Sequence, residues 1–66
     1  MHRHLTVRDL SGTRILGDFT PPAGASPLVD ATCTRLAHEL AASLPVAVIW
    51  SAYQPVAIYR DETSHV

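Results

Sequence analysis

The segment "VAVIWSAY" (46–53) is apolar on both of its alternating faces. Val46, Val48, Trp50 and Ala52 fall on one side, and Ala47, Ile49, Ser51 and Tyr53 on the other. A strand of that kind sits inside a sheet and needs cover on both sides. The chain has 66 residues, with room for a single long helix. A helix of about 16 residues covers roughly 24 × 10 Å. Four strands spaced about 4.8 Å apart make two faces of that size or larger. The helix therefore covers one face; the other is covered either by the N-terminal arm or the Pro-rich loop folding over it or, the preferred reading, by a partner. If Val48 and Trp50 meet the helix, then Ile49, Tyr53 and Tyr59 face outward. In the opposite register Trp50 and Val48 do.

The rest of the chain supplies the partners of this strand. "HLTVRD" (4–9) alternates with period two, "LSGT" is turn chemistry, and "RILGDF" (14–19) resumes as a strand, so residues 4–19 read as a hairpin. On simple alternation Ile15, Gly17 and Phe19 share a face. Gly17 inside a strand marks a bulge or a close backbone approach. Residues 20–26 form a Pro/Gly-rich loop. Ser26 as N-cap and Pro27 at the first helical position then open a helix over 27–44, which Pro45 stops. Val29, Cys33, Leu36, Ala37, Leu40 and Leu44 form its apolar stripe, and Asp30, Thr34, Arg35, His38 and Glu39 its polar side. "VAIYRD" (56–61) is the last strand. It pairs with 46–53 through a turn at Tyr53, Gln54 and Pro55, and residues 62–66 are a tail. The expected fold is α+β: a single β-β-α-β-β domain with a sheet of about four strands and one helix on one face. The connection through the helix joins two parallel strands by a right-handed crossover. The strand order is left open.

Small size sharpens the problem of cover. A domain of this length buries only about 60% of its unfolded surface. One cysteine, Cys33, excludes an internal disulfide, so a partner subunit is the remaining common means of support. The formal net charge of −1 gives no bulk attraction to nucleic acid or an anionic membrane. No apolar run approaches the ~20 residues of a membrane span, and "MHRHLTVRDL" lacks an apolar h-region. The expected compartment is cytoplasmic. All five basic side chains are arginine. GC-rich codons give that bias, which points to a bacterium or its phage.

Candidate chemistry is sparse. His2 and His4 have chelating spacing, but further ligands would have to come from His38 or His65, without a carboxylate at motif spacing. No metal or other cofactor is expected. Cys33 lies on the apolar stripe, as an inert small hydrophobe does. Asp30, Thr34 and His38 line up at i, i+4 and i+8 but offer neither pocket nor oxyanion donors. "GDFTPPAGASP" lacks the phosphate-binding glycine patterns. Arg8 and Arg14 flank the first turn as possible nucleic-acid or partner contacts. Aromatic and arginine side chains dominate interface energies, which makes Ile49, Trp50, Tyr53 and Tyr59 the candidate interface. The expected function is therefore a non-enzymatic protein-interaction module that self-associates as a homodimer. It would be a small bacterial or phage accessory or inhibitor protein, for example anti-defence, acting on a larger protein. Two alternatives stand beside it: a nucleic-acid-binding regulator using Arg8 and Arg14, and a small enzyme with a site at a dimer seam.

Overall fold

Four strands and one helix follow one another in the order the hydrophobic periodicity implies. The structure, a computed structural model, describes residues 4–60. The elements are β1 (Leu5–Arg8), β2 (Ile15–Asp18), α1 (Pro27–Ala42), β3 (Val46–Ser51) and β4 (Gln54–Arg60). They form an α+β domain with one sheet of order β2-β1-β3-β4. Each neighbouring pair is antiparallel. β2 and β3, which α1 connects, therefore run in the same direction, with β1 between them. The two central strands carry most of the buried side chains: Leu5, Thr6 and Val7 on β1, and Ala47, Val48 and Ile49 on β3. His2, Arg3, Asp61, His65 and the tail expected over 62–66 lie outside the described residues.

The helix starts as its sequence dictates. Ser26 Oγ accepts from the Val29 amide at 3.3 Å, and Pro27 occupies the first turn. It ends at Ala42 rather than 44. There the Ser43 amide and hydroxyl both donate to the Leu40 carbonyl, closing the last turn before Pro45.

Its rotation differs from the expected stripe. The buried helical residues are Ala37 and Ala41, whereas Leu36 and Val29 are about two-fifths exposed, at 40% and 41%. Asp30, Thr34 and His38, expected on the polar side, are half-buried. The cause is closeness of approach. Small side chains at the centre of the contact let α1 settle onto Leu5, Val7, Ala47 and Ile49, and the bulkier Leu40 and Cys33 pack beside them. Gly17 makes room on β2: a methyl group there would stand 2.7 Å from Leu40 Cδ2 and 2.9 Å from Phe19 Cε2.

Two β-bulges decide which side chains reach which face. Val7 pairs with Gly17 but Arg8 pairs with Ile15, which leaves Leu16 as the extra residue on β2. Ile15 is thereby turned away from the helix face it would share with Gly17 and Phe19 under strict alternation, and it is 54% exposed. On the other edge Ile49 pairs with Ala57 but Trp50 pairs with Pro55, which leaves Val56 as the extra residue on β4.

The β3–β4 turn is also tighter than expected. Ser51 pairs with Gln54, so only Ala52 and Tyr53 make the connection. Ala52 takes φ +58°. A positive φ at the first central residue of a two-residue hairpin is a glycine preference. Ala52→Gly is expected to stabilise the domain by about 0.5–1 kcal/mol, read as a higher denaturant midpoint with an unchanged m-value.

Candidate functional site

With α1 on one side, the sheet faces are distinguishable residue by residue. Leu5, Val7, Gly17, Ala47, Ile49, Ala57 and Tyr59 lie on the helix face. Thr6, Arg8, Val48, Trp50, Ile58 and Arg60 lie on the outer face. Of the four candidate interface residues, Ile49 is thus core, with 1% exposure, and offers nothing to a partner on the folded domain. Tyr59 is half-buried on the helix face, where its Oη lies 2.6 Å from His38 Nδ1 with the rings edge-on. Tyr53 is 89% exposed at the hairpin tip. Trp50 is half-buried on the outer face.

The middle of the outer face has a cover that patterning did not reveal. Arg8 lies with its guanidinium carbon 5.0 Å from the centre of the Trp50 ring. Its Nε donates to Thr6 Oγ1 at 3.0 Å, and its Nη1 donates to the Gly12 carbonyl at 3.1 Å. The β1–β2 loop thus folds back against Trp50, with Gly12 at φ +81° facing the indole. A cation–π contact of this kind contributes about 0.5–2 kcal/mol. Thr6 is buried on this face, with its hydroxyl accepting from Arg8. The loop is held by Asp9, whose Oδ1 accepts from the amides of Gly12, Thr13 and Arg14 and from the Ser11 hydroxyl. Arg8, a candidate nucleic-acid contact, is therefore spent on closing the fold. Arg14 lies exposed in the loop, with its amide and carbonyl bonded to Asp9.

The outer face beyond Trp50 is aliphatic and open. Val56 and Ile58 are 59% and 63% exposed, on the edge strand β4. The phase of the ladder shows which backbone groups that edge presents. Ala52 N–H donates to the His4 carbonyl at 2.6 Å. Hydrogen-bonded pairs alternate along an antiparallel ladder, so Trp50 and Val48 bond toward β1 and Ile49 and Ala47 toward β4. Their partners Ala57 and Tyr59 are thereby satisfied within the sheet. The amides and carbonyls of Ile58 and Arg60 point outward from the edge. Pro55 lies opposite Trp50 in a pair that exchanges no bonds, so its missing N–H blunts the hairpin end of the same edge. β2, the other edge, is shorter and also bulged.

A concavity of about 410 Å³ lies between the end of α1 and β4, lined by Ala42, Ser43, Leu44, Pro45, Tyr59 and Arg60. Both of its hydroxyls are engaged, Ser43 with the Leu40 carbonyl and Tyr59 with His38. The expected Asp30–Thr34–His38 row is a half-buried seam. Thr34 Oγ1 donates to the Asp30 carbonyl, and His38 turns to Tyr59. Cys33 is half-buried against the core. Among the described residues no group of three or more His, Cys, Asp and Glu comes together as metal ligands would. Among them, too, no helix is long and apolar enough to cross a membrane.

Comparison with protein-family models, curated proteins and solved structures finds no match to this chain.

Two carboxylates report on loop closure. The Arg14 amide, with the Ser11 hydroxyl and the Gly12 and Thr13 amides, holds the Asp9 carboxyl below its ordinary range. The Thr20 hydroxyl and amide do the same for Asp18, aided by the charge of His4. A carboxyl whose folded pKa is depressed stabilises the fold fully above its unfolded pKa of about 3.9. That stabilisation is lost as pH falls through the folded value. The denaturant midpoint is expected to drop below about pH 4, and Asp9→Asn with Asp18→Asn is expected to flatten the drop. Gly12→Ala meets both a positive φ and a ring 2.8 Å from the added methyl. It is expected to cost about 1–3 kcal/mol and to shift Trp50 fluorescence toward that of a solvated indole.

Proposed function

We propose that the protein is a non-catalytic protein-binding module that takes an extended segment of another protein onto the β4 edge and the aliphatic surface beside it. The observation that carries the reading is the open edge itself. Ile58 directs its amide and carbonyl outward and keeps its side chain 63% exposed, next to Val56 at 59%. Strand addition uses both features: main-chain bonds give affinity, and alternate side chains give selectivity. A small accessory or inhibitory protein that occupies the surface of a larger one fits this geometry. The nucleic-acid alternative loses its main support because the Arg8 guanidinium is bound to Thr6, Gly12 and Trp50. The enzyme alternative gains none from the engaged hydroxyls of the concavity.

Selection from a displayed library of random peptides tests the reading. Recovered peptides are expected to be extended and rich in β-branched aliphatic residues, and to lose binding to Ile58→Lys. Recovery of nothing above background, or of peptides that bind Ile58→Lys equally well, would contradict it.

A further inference from the structure

Resting on that reading, we infer that the occupant of the β4 edge in the isolated protein is a second copy of the same edge, paired antiparallel about a two-fold axis at Ile58. An edge paired with its own copy is isologous, so each contact occurs twice. The outward amides and carbonyls of Ile58 and Arg60 restrict the possible registers. Centred on Ile58, the two Ile58 residues exchange both backbone bonds. Ala57 then lies opposite Tyr59 of the second copy, and Val56 lies opposite Arg60.

Charge selects this register from its neighbours. Arg60 is the charged residue of β4. A pairing centred on Arg60 would set the two guanidinium-bearing residues face to face, which destabilises a strand pair. One centred on Tyr59 leaves them two residues apart, about 7 Å. The pairing centred on Ile58 separates them by four residues, about 13 Å, which exceeds the Debye length of about 8 Å at physiological salt. It also lays the aliphatic stem of each Arg60 beside Val56 of the second copy. The bulge at Val56 and the proline at 55 end the regular edge on the hairpin side, so registers displaced that way keep fewer bonds.

The core supplies the motive for association. Three of its buried hydrophobic residues are alanines, and its largest fully buried side chains are Ile49 and Val7. A domain so lightly filled gains from burying Val56 and Ile58 outside itself. The axis is perpendicular to the sheet, so the strands continue into one eight-stranded sheet with both helices on the same side. So short an edge buries less than the about 800 Å² per partner of a standard interface. The dimer is accordingly reversible and sensitive to dilution, and an extended peptide competes with it for the same edge.

Two measurements on the full chain test the inference. Sedimentation across a wide dilution series is expected to show a monomer–dimer equilibrium, with Ile58→Lys monomeric and its circular dichroism unchanged. A wild-type monomer throughout, or an Ile58→Lys dimer, would overturn it. Crosslinking with a short bifunctional maleimide, in a Cys33→Ser background, fixes the register. Ile58→Cys is expected to crosslink efficiently, whereas Tyr53→Cys, roughly 33 Å from its copy in this register, is expected not to. Crosslinking at 53 but not at 58 would overturn it. A wild-type monomer that still binds library peptides in an Ile58-dependent way would defeat the self-pairing and leave the proposed function standing. A monomer that binds none would defeat both.

Discussion

Everything in this fold follows from having one helix to cover a two-faced sheet. α1 approaches so closely, through Ala37 and Ala41, that Leu5, Val7, Ala47 and Ile49 are sealed beneath it. Among the described residues there is no second helix for the other face. The chain closes the middle of that face with a single cation. Arg8 lies across the Trp50 ring while bonding Thr6 below it and the Gly12 carbonyl beside it. A guanidinium suits this use because its stem is apolar, its plane stacks on indole and its donors fork in fixed directions. The Asp9-bound loop then holds the cover in place.

This solution leaves apolar side chains exposed at both edges of the sheet, Ile15 at the β2 side and Val56 and Ile58 at β4. Toward β2 the sheet is short and bulged, whereas β4 is the longer edge and carries Val56 and Ile58 in the open. Natural edges are blunted by proline, charge and bulges, and β4 has one of each, in Pro55, Arg60 and the extra residue Val56. They shorten the open edge to the neighbourhood of Ile58 without closing it. An edge restricted in this way favours a few registers over indiscriminate pairing, as a selective binding surface requires.

The elements themselves were readable because their signals are local. Period-two runs, the Ser26-Pro27 helix start and the Pro45 stop each depend on a few adjacent residues. What the sequence concealed depends on contacts between distant ones. The bulges at Leu16 and Val56 shift the pairing by one residue, so Ile15 faces outward although simple alternation places it with Gly17. Of the expected helix stripe, Ala37 is buried and Cys33, Leu40 and Leu44 pack against the core, whereas Val29 and Leu36 do not, and Ala41, outside that stripe, takes a central place because its small side chain permits close approach. Of the candidate interface residues, Tyr53 is exposed at the hairpin tip, Trp50 is half-buried on the outer face beneath Arg8, and Ile49 and Tyr59 face the helix. Sequence alone offers Arg8 as a nucleic-acid or partner contact, whereas in the fold its guanidinium lies over Trp50, forty-two residues further along. Ile58 was missed because exposure of an aliphatic edge residue depends on strand order, which the sequence left open.

Amide hydrogen exchange along β4, followed residue by residue at low and high protein concentration, tests the central claim most directly. Ala57 and Tyr59 are expected to be protected at both concentrations, because their amides bond to β3. Ile58 is expected to exchange freely when dilute and to become protected when concentrated. Protection of Ile58 equal to that of Ala57 in dilute solution, or an exchange rate indifferent to concentration, would contradict the account of an open edge that its own copy closes.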